Sequence, residues 1–124
     1  MTRLIVCDDA PDMRALLRDA LQDDDDLEVL GEAADGDAAL ALAEALQPDV
    51  VLLDIGMPGP GATAVVTELR RVAPAAAIVV LSGFGPERLD GVADEVAAYL
   101  PKTTDIPTIR RTLREAGGPA VARD

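Results

Sequence analysis

The sequence predicts an α/β fold, with five parallel strands in one sheet and helices on both of its faces. Three observations predict it. Strand-like and helix-like segments alternate strictly along the chain, five of each, which is the pattern of strand–helix–strand units. The third and fourth strand runs, Val50-Val51-Leu52-Leu53 and Ile78-Val79-Val80-Leu81, are apolar at every position, as strands covered on both faces must be. Four of the runs also end in polar chemistry. Leu4-Ile5-Val6-Cys7 leads to Asp8-Asp9, the third run to Asp54, the fourth to Ser82, and the weaker Ala97-Ala98-Tyr99-Leu100 to Pro101-Lys102. In a parallel sheet those ends share the carboxyl edge, where open α/β sheets bind ligands.

Each element has a local reason. After the first strand, Pro11 suits the opening turn of a helix, and Met13, Leu16, Leu17, Ala20 and Leu21 recur at helical spacing to form its inner face. Residues 27–33 read as a second, more alternating strand. Asp35 is a candidate cap for a helix whose inner face is Ala39, Leu42, Ala43 and Leu46. Pro48-Asp49 ends it. Met57-Pro58-Gly59-Pro60-Gly61 is a loop by composition, followed by a helix with Ala62, Val65, Val66, Leu69 and Val72 inward and Pro74 as its stop. The glycine-rich Gly83-Phe84-Gly85-Pro86 is a second loop, with a short, weak helix expected over residues 87–95. Pro101 lacks a ladder donor, which places the fifth strand at an edge. The last helix shows Ile106, Ile109, Leu113 and Ala116 on one face and ends at Gly117-Gly118-Pro119.

At 124 residues the chain is one domain, long enough to bury a core without staples. The expected boundaries are 1–117 for the folded unit and 118–124 for a tail or the start of a linker. With 11 basic against 23 acidic residues, the net charge is −12. That balance excludes a nucleic-acid surface and an anionic membrane surface, which need clustered Lys and Arg. Asp23-Asp24-Asp25-Asp26 reads as an exposed acidic loop. The single cysteine, Cys7, lies inside an apolar run and reads as a buried, inert thiol. No signal peptide is visible and no apolar run is long enough to span a bilayer, so the expected location is the cytoplasm.

The edge residues define the candidate chemistry. Adjacent carboxylates repel each other unless a cation sits near, and a hard divalent ion with oxygen ligands removes that repulsion. Magnesium takes one or two carboxylates and keeps several waters. Asp9 and Asp54 are the candidate ligands, with the Gly56 carbonyl as a third. A carboxylate can also act as a nucleophile toward phosphorus. Asp54 is the candidate, because it stands alone after the most hydrophobic strand. Lys102 would neutralise phosphoryl oxygens and Ser82 would donate a hydrogen bond to one. Singly, each residue has a plainer reading: a solvated Asp pair, a turn serine, a surface lysine. Their joint placement on one edge is the signal.

These residues resemble a known family. Asp8-Asp9, Asp54-Ile55-Gly56-Met57-Pro58-Gly59, Ser82 and Lys102, in this order and approximate spacing, look like the receiver domain of bacterial two-component response regulators. Gly31-Glu32-Ala33-Ala34-Asp35-Gly36 and Tyr99-Leu100-Pro101-Lys102 look most like the NarL/FixJ-type subclass. The resemblance implies a flavodoxin-like, doubly wound sheet ordered 2-1-3-4-5, phosphorylation at Asp54, and magnesium held by Asp8, Asp9 and Asp54. It implies a switch in which Ser82 moves toward the phosphoryl group and Tyr99 changes rotamer. The plain reading of Tyr99 is a half-buried aromatic on an edge strand.

The resemblance further implies a sensor histidine kinase or phosphotransfer protein as partner, and homodimerisation through the first and last helices or the fourth-helix face. The chain has no histidine, so a phosphohistidine must come from a partner, or a small phosphodonor must serve. Relatives of this type usually carry a DNA-binding module beyond a linker. The expected role is therefore phosphoacceptor and not turnover enzyme, with self-catalysed phosphotransfer and autodephosphorylation at most. Two alternatives stand beside it. One is a receiver-like interaction module that no longer accepts phosphate. The other is an aspartate-nucleophile phosphatase of the haloacid dehalogenase type, which needs a second Asp where this chain has Gly56. The chain departs from the family's common pattern at Gly83, at Thr103, in the bare Gly56, and in the short segment between Ser82 and Lys102.

Overall fold

Strands form where the apolar runs predict them. In the computed structural model, which describes residues 1–117, β1 spans Thr2–Cys7, β2 Leu27–Ala33, β3 Val50–Leu53, β4 Ala77–Ser82 and β5 Ala98–Pro101. All pairings are parallel, in the order β2-β1-β3-β4-β5. This is the expected doubly wound, flavodoxin-like order, with Pro101 on the edge strand. The tail or linker expected over 118–124 lies outside the described residues.

Side-chain alternation along the strands divides the core in two. Leu4, Val6, Leu52, Val79 and Leu81 face α1 (Pro11–Gln22) and α4 (Ile106–Gly117), and meet Leu17, Leu21, Ile109 and Leu113. Ile5, Val51, Leu53, Ile78 and Val80 face α2 (Gly36–Leu46) and α3 (Ala62–Val72), and meet Ala39, Ala43, Val65, Val66 and Leu69. Every residue of β3 is buried, as its uniform apolarity requires. Asp35 caps α2 by accepting the Ala38 N–H at 2.8 Å, an interaction worth about 1 kcal/mol.

Two expectations are corrected. The helix expected over residues 87–95 is two short 3₁₀ turns, η1 (Pro86–Leu89) and η2 (Ala93–Glu95). Gly91, between them, adopts φ +87°, a left-handed conformation that ends any right-handed helix there. The buried Leu89 and Val92 still anchor the segment. The described chain therefore has four α-helices against the five expected. Leu16, placed on the inner face of α1, is instead 56% exposed. The buried positions of that helix, Leu17 and Leu21, are four apart and define a narrower stripe.

Candidate functional site

The sheet hydrogen bonding runs past the strand ends and sets the site. Asp54 N donates to the Cys7 carbonyl at 2.9 Å, and Asp8 N donates to the Ala33 carbonyl at 3.0 Å. These bonds bring Asp8 and Asp54 side by side at the carboxyl edge, 1% and 5% exposed, while Asp9 is exposed. One carboxylate oxygen from each of Asp8, Asp9 and Asp54 lies within 4.8 Å of the others. The three carboxylates expected as metal ligands thus lie together.

Lys102 reaches the same point from β5. Its Nζ donates to Asp8 Oδ2 at 2.9 Å and to Asp54 Oδ2 at 3.1 Å. The other oxygen of each buried carboxylate accepts a backbone N–H two residues on, from Ala10 to Asp8 Oδ1 and from Gly56 to Asp54 Oδ1, both at 2.9 Å. The burial of Lys102 works against its charged form, but the hydrogen bonds and charges of Asp8 and Asp54 outweigh this and hold the ammonium above its usual range. Three carboxylates against one ammonium leave the cluster at about −2. A divalent cation with a preference for oxygen ligands brings that to neutrality, so the donor set fits magnesium.

Ser82 is buried beside the cluster, and its carbonyl accepts the Lys102 N–H at 3.1 Å, fixing the lysine's backbone. Its Oγ accepts the Phe84 N–H at 3.0 Å, so the hydroxyl is held in its own turn. Tyr99 packs half-buried on the α2/α3 side of the sheet, and its buried hydroxyl has no hydrogen-bond partner among the described residues.

Phe84 and Arg88 complete the rim, and the sequence reading passed over both. A Cβ added at Gly56 would come within 2.5 Å of Phe84 Cε2, so the ring rests on the backbone that glycine leaves bare. The Arg88 guanidinium lies 3.9 Å from the ring centroid. The available signal was a lone aromatic in a glycine loop, where no strand or helix periodicity accounts for it. Gly56→Ala is expected to push the ring off its seat and lower stability by about 0.5–1 kcal/mol, the scale of an exposed cation–π contact. Urea titrations should show that loss, and it should vanish in a Phe84→Ala background.

Directly beneath the cluster, burial pushes the Cys7 thiol up to about 12, helped by the neighbouring Asp8 charge. The unfolded thiol ionises near 8.5. Below that pH the thiol's contribution to stability is fully present, and it is lost as pH rises toward the folded value. The slope is about 1.4 kcal/mol per pH unit. Lys102 acts in the same direction, but only above its ordinary pKa of about 10.4. Chemical denaturation between about pH 8.5 and 10 should therefore show falling stability that Cys7→Ala flattens, whatever that substitution does to stability at pH 7.

Among known proteins, the family model described as the response regulator receiver domain matches residues 4–114. The chain is 38% identical over 123 residues to protein-glutamate methylesterase/protein-glutamine glutaminase 5 of Myxococcus xanthus, covering 98% of this chain and 35% of that protein. It is 35% identical over 115 residues to the nitrate/nitrite response regulator protein NarL of Escherichia coli K12, covering 91% of this chain and 53% of that protein. The chain thus spans between about a third and about half of these relatives. A crystal structure of a DNA-binding response regulator of the LuxR family from Staphylococcus aureus superposes with TM-score 0.85 at 27% identity, covering 95% of this chain and all of that one.

Proposed function

The chain belongs to the response regulator receiver domain family, and from that premise we propose that it is the phosphoacceptor of a two-component system, taking a phosphoryl group on Asp54. The observation that carries the reading is the single cluster in which Lys102 bridges Asp8 and Asp54 while Asp9 stands free beside them. The proposed unit is residues 1–117, with 118–124 as tail or linker. The donor is a partner's phosphohistidine, from a sensor kinase or a phosphotransfer protein, and the setting is the cytoplasm. The described residues contain no helix long and apolar enough to cross a membrane.

An Asp54 carboxylate oxygen attacks the phosphorus in line. The new P–O bond forms as the donor's P–N bond breaks, and the electron pair returns to the imidazole nitrogen. Asp8, Asp9, Asp54 and the Gly56 carbonyl would hold magnesium, which supplies charge neutralisation at the phosphoryl oxygens. Lys102 shifts its hydrogen bond from Asp54 Oδ2 to a phosphoryl oxygen. Ser82 gives up the Phe84 N–H and turns its hydroxyl toward another. Tyr99 follows into the space Ser82 leaves, and its unpartnered hydroxyl supports this, because a buried donor without a partner disfavours its present position. The two conformations differ at β5 and the neighbouring turns, where an output partner or a second copy reads them.

Acetyl phosphate with magnesium, followed by intact-mass measurement and peptide mapping, tests this. The expected result is one phosphoryl group per chain, on Asp54, lost when magnesium is chelated. Labelling elsewhere, or equal labelling in chelator, would refute the reading.

A further inference from the structure

Asp9 is the exposed carboxylate of the cluster, and its direction is set by the peptide it shares with Asp8. That peptide is held from an unexpected quarter. Arg14, on α1, donates from Nη1 to the Asp8 carbonyl at 2.7 Å and from Nε to Glu32 Oε1 on β2 at 3.3 Å. Arg18 Nη1 braces the other Glu32 oxygen at 3.2 Å. Glu32 precedes Ala33, whose carbonyl takes the Asp8 N–H. Asp8 is thus gripped at its N–H by β2, and at its carbonyl by a guanidinium that is itself anchored to β2.

We propose that Arg14 is a positioning residue for the Asp8/Asp9 pair, orienting the shared peptide so that Asp9 stands ready for the cation. This rests on reading the cluster as a magnesium site. Lys102 and Arg14 support the same cluster in different ways. Lys102 occupies carboxylate oxygens of Asp8 and Asp54. Arg14 takes a carbonyl and leaves the Asp9 carboxylate untouched. The Asp9 carboxylate stands within 4.8 Å of two like charges, an arrangement that repulsion alone would open. Burial separates Arg14 from the exposed ion pairs of the surface: its side chain is 21% exposed, against 68% for Arg71. Solvated pairs of the latter kind contribute little.

Isothermal titration with magnesium is the test. Arg14→Gln should weaken binding by about tenfold, the scale seen when partners that orient metal ligands are removed. Arg14→Lys, which reaches the carbonyl or Glu32 but not both, should fall between. Glu32→Gln keeps the carbonyl bond but loosens the guanidinium, and should weaken binding measurably but by less than Arg14→Gln. That variant carries the test if Arg14→Gln does not fold. In the metal-free protein, amide exchange should quicken at Asp9 and Ala10 specifically, and at saturating magnesium the labelling rate should return to that of the parent. Parent binding with an unchanged dissociation constant in Arg14→Gln, or exchange quickened evenly through α1 and β2, overturns the inference and leaves the function intact. A parent that binds no magnesium overturns both.

Discussion

Asp54→Asn is expected to abolish phosphoryl uptake and, in chelator, to make the protein more stable by about 1 kcal/mol. The first effect follows from chemistry, since a neutral amide offers no nucleophilic oxygen. The second follows from charge. Asn keeps the shape, and its carbonyl can still accept the Gly56 N–H that Asp54 Oδ1 accepts now. What disappears is one negative charge, repelled by Asp8 and Asp9 and attracted by Lys102. At about 4 Å and an effective dielectric near 20, each of those terms is about 4 kcal/mol. Two repulsions against one attraction favour removing the charge, and partial exposure of Asp9 and Lys102 reduces the net to about 1 kcal/mol. Magnesium should reverse the order. It adds about 1.4 kcal/mol to the parent at ten times its dissociation constant, and less to the variant, which has lost a ligand. Denaturant titrations with and without magnesium, beside intact-mass spectra, report both effects. A less stable Asp54→Asn in chelator would contradict the electrostatic account, and surviving label would contradict the assignment of the nucleophile.

What the sequence made legible was whatever a short window or a strand end controls. The runs before Asp8, Asp54 and Ser82 are strands because they are apolar throughout, and their parallel alignment alone places the polar residues that follow on one edge. Lys102 joins them because β5 pairs with β4 in register, with Ser82 opposite Pro101. The segment after Ser82 was harder. Its apolar spacing at Leu89 and Val92 is compatible with a helix, and only the left-handed Gly91 divides it into two turns. Leu16 stands beside the buried Leu17/Leu21 stripe of α1 and not on it, and periodicity within one helix does not say how wide a stripe the sheet covers. Arg14 and Phe84 act through contacts between separated segments: a carbonyl at the end of β1 and a bare glycine 28 residues away in sequence. No spacing rule reports those.

Lys102→Met should be the most damaging single change at the site, lowering stability in chelator by about 3 kcal/mol. Methionine preserves the unbranched apolar stem, so the loss isolates the ammonium. Its two hydrogen bonds run to carboxylates that are almost fully buried, and removing one partner of a buried pair strands the charge that remains. The contrast lies with Arg71 and Glu68, 68% and 42% exposed at the side chain, where solvent screens the pair and Arg71→Met should leave stability essentially unchanged. Because the penalty comes from stranded carboxylates, it should shrink when one of them is neutralised. The Lys102→Met/Asp54→Asn double variant should therefore be more stable than the sum of the two single effects by about 1–2 kcal/mol, a coupling that a double-mutant cycle reads directly. Magnesium should recover part of the loss in Lys102→Met by supplying the missing positive charge, yet leave phosphoryl uptake slower by a factor of about 10²–10³, because the hydrogen bond that follows the developing charge is gone. Strict additivity in the cycle would mean that the Lys102 ammonium and the Asp54 carboxylate do not couple, and the electrostatic account of the cluster would fall with it.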